Sequence, residues 1–226
     1  MYQSQSVIGI TDASKNRPLE QCVWPADALH NIPDWAYTSQ ALYDREMERI
    51  FQGDTWNFVA LEAEIPNRGD YKRGYVGAVP VVITRAEDDT IAVFENRCAH
   101  RGAEFCRHNQ GNAKEFVCPY HQWSYDLKGN LQGVPFRRGV NKQGGMPKDF
   151  QPAQHGTRQL RVTTRNGVVF ATYSDATPPL EAYMTPEIVE EFDVTFSGKK
   201  LKILGYYRNE LPCNWKMYHE NLKDPY

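Results

Sequence analysis

Between residues 56 and 173 short apolar runs alternate with Gly, Asp and Asn, the pattern of strands joined by turns. The runs are 56–62, 71–77, 79–85, 90–95, 115–118, 160–164 and 168–173, each rich in Val, Ile, Tyr or Phe. Lys128-Gly129-Asn130 and Arg165-Asn166-Gly167 carry residues that tolerate positive φ, so both predict hairpin turns. Seven short strands at this spacing predict a small antiparallel barrel or sandwich. Residues 137–157, with Gly139, Gly144, Gly145, Pro147 and Pro152, read as a long excursion from it.

The flanks follow other periods. Residues 1–33, broken by Pro18, Pro25 and Pro33, predict an irregular arm. From Ser39 a helix is expected, capped by that serine, with a stripe of Tyr43, Met47, Ile50 and Phe51 and a stop at Gly53. After Pro178-Pro179 the pattern predicts a helix over 180–192, interrupted near Pro186, then a strand over 200–209 and a helix from Asn214. The divisions expected are an arm and helix at 1–52, a mainly β antiparallel domain at 53–174, and the start of a further α+β domain at 175–226.

Composition narrows the functional classes. The chain has 226 residues, 26 Lys+Arg against 28 Asp+Glu, and 41% hydrophobic residues, enough to build a core and too apolar for disorder. A pI near 6.3 gives no electrostatic footprint for nucleic acid. No apolar run approaches the 18 residues of a membrane span, so no membrane partner is expected. The first fourteen residues lack the positive charge and apolar stretch of a secretory signal, which predicts the cytoplasm. The five cysteines are an odd number in a mid-sized chain, so reduced thiols and metal ligation are expected rather than disulfides. A phosphate-binding Gly-rich fingerprint is missing, so neither a nicotinamide nor a flavin nucleotide is expected on this chain.

Chemistry concentrates at Cys98-Ala99-His100 and Cys118-Pro119-Tyr120-His121, each following a predicted strand. Thiolates and imidazoles suit iron–sulfur clusters, zinc or copper. Zinc fingers pair like with like locally, whereas here each pair mixes one Cys and one His. That arrangement resembles the Rieske motif, in which two Cys hold one iron of a [2Fe–2S] cluster and two His the other. Arg101-Gly102 after the first pair and Trp123 after the second agree with it, and zinc is the second reading. Neutral imidazoles in place of thiolates raise the reduction potential and leave a ring N–H on each histidine to face solvent or a partner. Cys106-Arg107-His108 repeats the first spacing without the Arg-Gly; Cys106 is read as a buried or idle thiol and His108 as a surface residue. Cys22 and Cys213 are read as packing residues, His30 and His155 as structural, and Trp123 and Tyr120 as either shields for the site or core. Arg97, Arg101, Arg107 and Arg138 are either a basic dock or a solvated face.

The chain closes on Asn214-Trp215-Lys216, then Glu220-Asn221, then Asp224-Pro225-Tyr226. With the two Cys/His pairs, these residues resemble the large (α) subunit of Rieske non-haem iron aromatic-ring hydroxylating oxygenases, in its N-terminal half. The likeness extends over nearly the whole chain. Cys-Pro-Tyr-His-Gln-Trp at 118–123, Gly-Val-Pro-Phe at 133–136 and Gly-Gly-Met-Pro at 144–147 look most like the salicylate, anthranilate and terephthalate members.

The resemblance implies a terminal oxygenase component, a mono- or dioxygenase acting on an aromatic, carboxylated ring. Cys98, His100, Cys118 and His121 would hold the cluster. Asp224 would bridge a cluster histidine of a neighbouring subunit and an iron-binding histidine, with Asn221 near the iron and His219 outside the ligand set. The family's mononuclear Fe(II) sits in a 2-His-1-carboxylate triad whose first ligand is expected just after Tyr226, so no ligand to it is assigned within 1–226. Implied partners are a reductase that oxidises NADH, in some members a ferredoxin, O2, a small aromatic substrate and a small β subunit in an α3β3 or α3 assembly. The rival reading is a Rieske electron-transfer protein without oxygen chemistry, against which both flanks count.

Overall fold

The structure, a computed structural model, describes residues 16–26, 31–141, 143–196 and 199–224. It divides into two compact units, Ile50–Gly205 and Met1–Arg49 together with Tyr206–Tyr226.

In the first unit a seven-stranded antiparallel sheet has the order β1-β10-β9-β4-β3-β2-β5, and a smaller sheet has the order β6-β7-β8. The strands of the large sheet are β1 (Asn57–Leu61), β2 (Asp70–Val76), β3 (Val79–Arg85), β4 (Ile91–Glu95), β5 (Gln110–Asn112), β9 (Gln159–Arg165) and β10 (Val168–Thr172). The small sheet is β6 (Phe116–Val117), β7 (Ser124–Tyr125) and β8 (Leu131–Gly133). Side chains alternate across a strand, and here the alternation sorts residues between two cores. Val81 and Ile83 of β3 and Val93 of β4 enter an aliphatic core with Val59, Leu160 and Val169. Val82 and Phe94, their neighbours in sequence, enter an aromatic core with Phe105, Phe116, Trp123 and Tyr125. Cys98 and Cys118 lie in that second core. The large sheet curls until β1 approaches β2, forming an open half-barrel around the aliphatic side.

The predicted strands at 56–62, 71–77, 79–85, 90–95, 115–118, 160–164 and 168–173 correspond to β1, β2, β3, β4, β6, β9 and β10. Both predicted turns form. Asn166 and Gly167 have φ of 48° and 81° between β9 and β10, matching the right-handed twist of the strands. The turn from Asp126 to Asn130 joins β7 to β8, with Gly129 at φ 81° packed too closely on Thr157 and Phe94 for a side chain. Strands β5, β7 and β8, two or three residues long, are too short to show a period.

Helices α3 (Leu180–Tyr183) and α4 (Pro186–Phe196) pack on the outer face of β10. The helix expected over 180–192 is interrupted at Met184–Thr185 as expected, and Pro186 opens α4, as suits a residue without an N–H in the first helical turn. The strand expected over 200–209 does not form, and Leu204 and Tyr207 there are exposed. Alternation sets which side a residue faces, but a strand also needs a neighbouring backbone, and none pairs with this segment among the described residues.

The second unit holds α1 (Trp35–Thr38), α2 (Gln40–Glu46) and α5 (Trp215–Lys223). Ser39 caps α2 as expected, its Oγ accepting from the Leu42 N–H at 3.3 Å. Met47 of the expected stripe is buried, but Ile50 is exposed because residues Met47–Phe51 wind as a π-helix and shift the period. Cys213 is exposed, not packed, since it precedes the Asn214 cap of α5 in an extended approach. His30 lies outside the described residues. Lys216 Nζ donates to both carboxylate oxygens of Glu46 at 2.6 Å, and Trp215 Nε1 donates to the same group at 3.0 Å, fixing α5 to α2. Glu46→Ala leaves the half-buried Lys216 unpaired and is expected to cost about 2 kcal/mol. Hydrogen exchange across 215–223 should rise in that variant, and unchanged protection there counts against the pair as the anchor.

Candidate metal centre

Two loops of the same build present the predicted donors. In the first, the Cys98 N–H donates to the Ala103 carbonyl at 2.8 Å and the Gly102 N–H donates back to the Cys98 carbonyl at 2.7 Å. In the second, the Cys118 N–H donates to the Trp123 carbonyl at 2.8 Å and the Gln122 N–H donates back to Cys118 at 2.9 Å. Each loop turns at its fifth residue through a positive φ, 72° at Gly102 and 57° at Gln122. Glycine adopts that conformation freely, while Gln122 holds it at a cost of about 1 kcal/mol.

The pattern tucks both sulfurs inward and sends both histidines outward. Cys98 and Cys118 are buried, at 3% and 1% exposure. The His100 and His121 rings lie 4.7 Å apart at 81°. His100 also stacks on Trp123, with centroids 5.0 Å apart and planes 13° apart. Cys98, His100, Cys118 and His121, with Arg101 and Tyr120, line one recess of about 360 Å³. Trp123 is thus both a core residue and a shield on one face of His100. Tyr120, although it lines the recess, is 73% exposed.

The electrostatics favour a metal group. Nδ1 of His100 is buried and has no hydrogen-bond partner in the protein, a costly state that a metal bond removes. Burial, followed by the neighbouring His121 and Arg101, pushes the His100 pKa down and keeps the ring in its neutral, ligating form. Burial pushes the Cys98 thiol up, opposed by the Tyr125 hydroxyl and reinforced by the adjacent Cys118 sulfur. A bound cation compensates the charge that such a sulfur takes on as a ligand. Among the described residues no three His, Cys, Asp or Glu side chains converge on a single ion position. Two Cys and two His around one recess match a two-iron cluster, which takes two protein ligands at each iron. The donor set therefore fits a [2Fe–2S] cluster.

Two supporting residues had no signal in the spacing. Tyr125, fully buried on β7, accepts from the Ala99 N–H at 3.0 Å, which directs its own hydroxyl proton to Cys98 Sγ at 3.2 Å. Burial and then Cys98 push its pKa up, so it stays a donor. Asn96, also fully buried, accepts from the Phe105 and Cys106 N–H groups at 3.2 and 2.9 Å and donates to the Cys106 carbonyl at 2.8 Å. It closes the chain around the first loop. Cys106 is buried, its thiol raised by burial to about 11, and His108 is exposed, so neither joins the recess. His155 is half-buried and stacks on Phe150 at 4.4 Å. Arg97, Arg101, Arg107 and Arg138 are all exposed.

Asp224 belongs to the second unit. It follows α5 as its C-cap, its N–H reaching the Asn221 carbonyl at 3.4 Å. Asp224, Asn221 and His219 are exposed.

The half-barrel with paired Cys/His loops defines a Rieske-type iron–sulfur domain, and residues 55–144 match the Rieske [2Fe-2S] domain family. The chain is 53% identical over 207 residues to the large oxygenase component of salicylate 5-hydroxylase from Ralstonia sp, covering 90% of this chain and 49% of that protein. It is also 53% identical over 203 residues to the anthranilate 1,2-dioxygenase large subunit of Burkholderia cepacia, covering 90% of this chain and 48% of that one. Among solved structures, a quaternary ammonium Rieske monooxygenase in complex with L-carnitine superposes with a TM-score of 0.69 at 28% identity, over 82% of this chain and 50% of that one. The chain carries a Rieske [2Fe-2S] domain, resembles these large oxygenase subunits over 90% of its length, and spans about half the length of the curated relatives it matches.

Two substitutions test the centre. Tyr125→Phe removes a hydrogen bond that favours the more electron-rich, reduced cluster, so the reduction potential should fall by about 60 mV, equivalent to about 1.4 kcal/mol. A spectroelectrochemical titration reads this, and an unchanged midpoint removes Tyr125 from the tuning of the site. Asn96→Ala strands three buried backbone groups and is expected to cost about 3 kcal/mol in chemical denaturation, with lower cluster occupancy.

Proposed function

We propose that the chain is the cluster-bearing part of a terminal oxygenase component that hydroxylates an aromatic, carboxylated ring with O2. The observation that carries the reading is the buried, unpartnered Nδ1 of His100 beside two desolvated thiols and a second imidazole. Support for ring hydroxylation comes from the relatives, named for salicylate, anthranilate and terephthalate.

In this reading Cys98 and Cys118 hold one iron and His100 and His121 the other. Bound there, the [2Fe–2S] cluster supplies one-electron transfer at the potential that mixed thiolate and imidazole ligation sets. Tyr125 holds a proton toward Cys98, and the aromatic core excludes water from the sulfurs. The two histidines keep their outer ring nitrogens at the surface, where a hydrogen bond to a carboxylate can form. Asp224 is that carboxylate, supplied by a neighbouring subunit of an α3 or α3β3 assembly, and it links the cluster to a mononuclear Fe(II) centre. No ligand to that second iron is assigned within residues 1–226. Electrons come from NADH through a separate reductase, with or without a ferredoxin, in the cytoplasm. Among the described residues no helix is long and apolar enough to cross a membrane.

The test uses the protein with its cluster and its full catalytic domain. Asp224→Asn should keep the cluster's visible and EPR spectra and lower product formation by at least about a hundredfold, since it removes the charge of the linking hydrogen bond. Normal turnover in that variant excludes Asp224 from the electron path. A colourless, zinc-loaded wild type overturns the assignment as a whole.

A further inference from the structure

The excursion between β8 and β9 is absorbed neither by the ligand set nor by the core. It is a built surface rather than a loose loop. The Met146 N–H donates to the Arg137 carbonyl at 3.0 Å, and the Gly139 N–H donates to Phe136 at 2.7 Å. Gly145, at φ 94°, lies against the Arg137 carbonyl and the Gly139 nitrogen with no room for a side chain. This frame opens a recess of about 370 Å³ lined by Arg137, Arg138, Met146, Lys148 and Phe150. Arg137 donates to the Phe150 carbonyl at 3.0 Å and lies 5.7 Å from that ring's centroid.

Two features mark the recess. It gathers three cations, Arg137, Arg138 and Lys148, in one lining, and none of them has a carboxylate partner among the described residues. Asp149 is the one acidic residue in the excursion. Beside the cations Phe136 and Val140 are exposed at 73% and 59%, an apolar component a solvated face does not need. The recess also connects to the cluster site through rings. Phe150 packs on Trp123 with centroids 6.1 Å apart, and Trp123 stacks on His100 at 5.0 Å.

We infer that this recess is the docking surface for an acidic one-electron donor protein, and that Phe150 and Trp123 join it to the His100 side of the centre. The inference rests on the proposed cluster function and adds where the donor binds. One electron leaves the donor and enters the cluster, with no bond made or broken. Charge complementarity selects a protein donor. Unpaired cations around small apolar contacts steer a transient encounter, and the chain's overall charge of −2 argues against nucleic acid at this patch.

The probe is a reduced plant-type [2Fe–2S] ferredoxin, an acidic carrier, mixed with the cluster-loaded protein in stopped flow. The second-order rate for wild type should fall steeply with salt. In Arg137→Gln/Arg138→Gln/Lys148→Gln it should drop by about tenfold or more at low salt and become nearly salt-independent. The visible spectrum and photoreduction by a small deazaflavin should not change. Arg138→Glu/Lys148→Glu spares the Arg137–Phe150 contact and should give the same loss if the triple variant misfolds. A wild-type rate and salt slope in either folded variant overturns the inference while leaving the cluster assignment intact. A changed oligomeric state with an unchanged donor rate also overturns it, making the patch a subunit contact. Failure of the wild type to bind a cluster is instead a failure of the proposed function.

Discussion

Burying two cysteine thiols side by side is the condition the rest of this domain is built to meet. A thiol in an apolar core resists ionisation, and a neighbouring sulfur makes it harder still, so the pair calls for metal charge to become ligands. Every local feature around Cys98 and Cys118 follows from holding them in place without water. The loops spend their backbone hydrogen bonds on reciprocal closures, Cys98 with Ala103 and Gly102, Cys118 with Trp123 and Gln122. Each closure points the sulfur inward and leaves the following histidine on the rim.

The sheet supplies the rigid wall. Because β3 and β4 are buried on both faces, consecutive residues serve different cores, Val93 the aliphatic and Phe94 the aromatic one. Phe94, Phe105, Phe116 and Tyr125 pack ring against ring at centroid distances between 4.9 and 6.4 Å, a shape-specific filling that flexible aliphatic chains define less well. Within that packing the one hydroxyl of Tyr125 has a single sulfur to reach. Asn96 plays the matching part for the backbone, since a buried amide in the core is tolerated where all its groups are paired.

The helical unit works on the same principle at lower density. Glu46 gathers Lys216 and Trp215, and so α5, which ends in Asp224, has a defined attachment to α2. A helix of nine residues with no buried side chain would otherwise be marginal in water. The proposed function asks for a carboxylate held at a set position, and the Glu46 contacts fix the helix that Asp224 follows.

Much of the site is legible along the chain because metal ligation restricts both residue type and spacing. The four Cys and His donors are local pairs, and their separation needs no knowledge of the fold. The strands were equally readable where apolar residues ran for five or more positions, as in β3 and β10, and both turns were marked by Asn or Gly at positive φ. The sequence could not show Tyr125 or Asn96 as partners of the site, because a hydroxyl 27 residues from Cys98 becomes its neighbour only when β7 folds beneath the first loop. Nor could alternation over 200–209 make a strand, since pairing depends on a second backbone that periodicity does not supply. The sequence by itself marked the four candidate donors, the motif and the longer strands. Tertiary structure decided which nitrogen stands buried without a partner, which sulfur accepts the Tyr125 hydrogen bond, and which cations gather in one recess. Those properties belong to distances between chain segments, and only packing sets them.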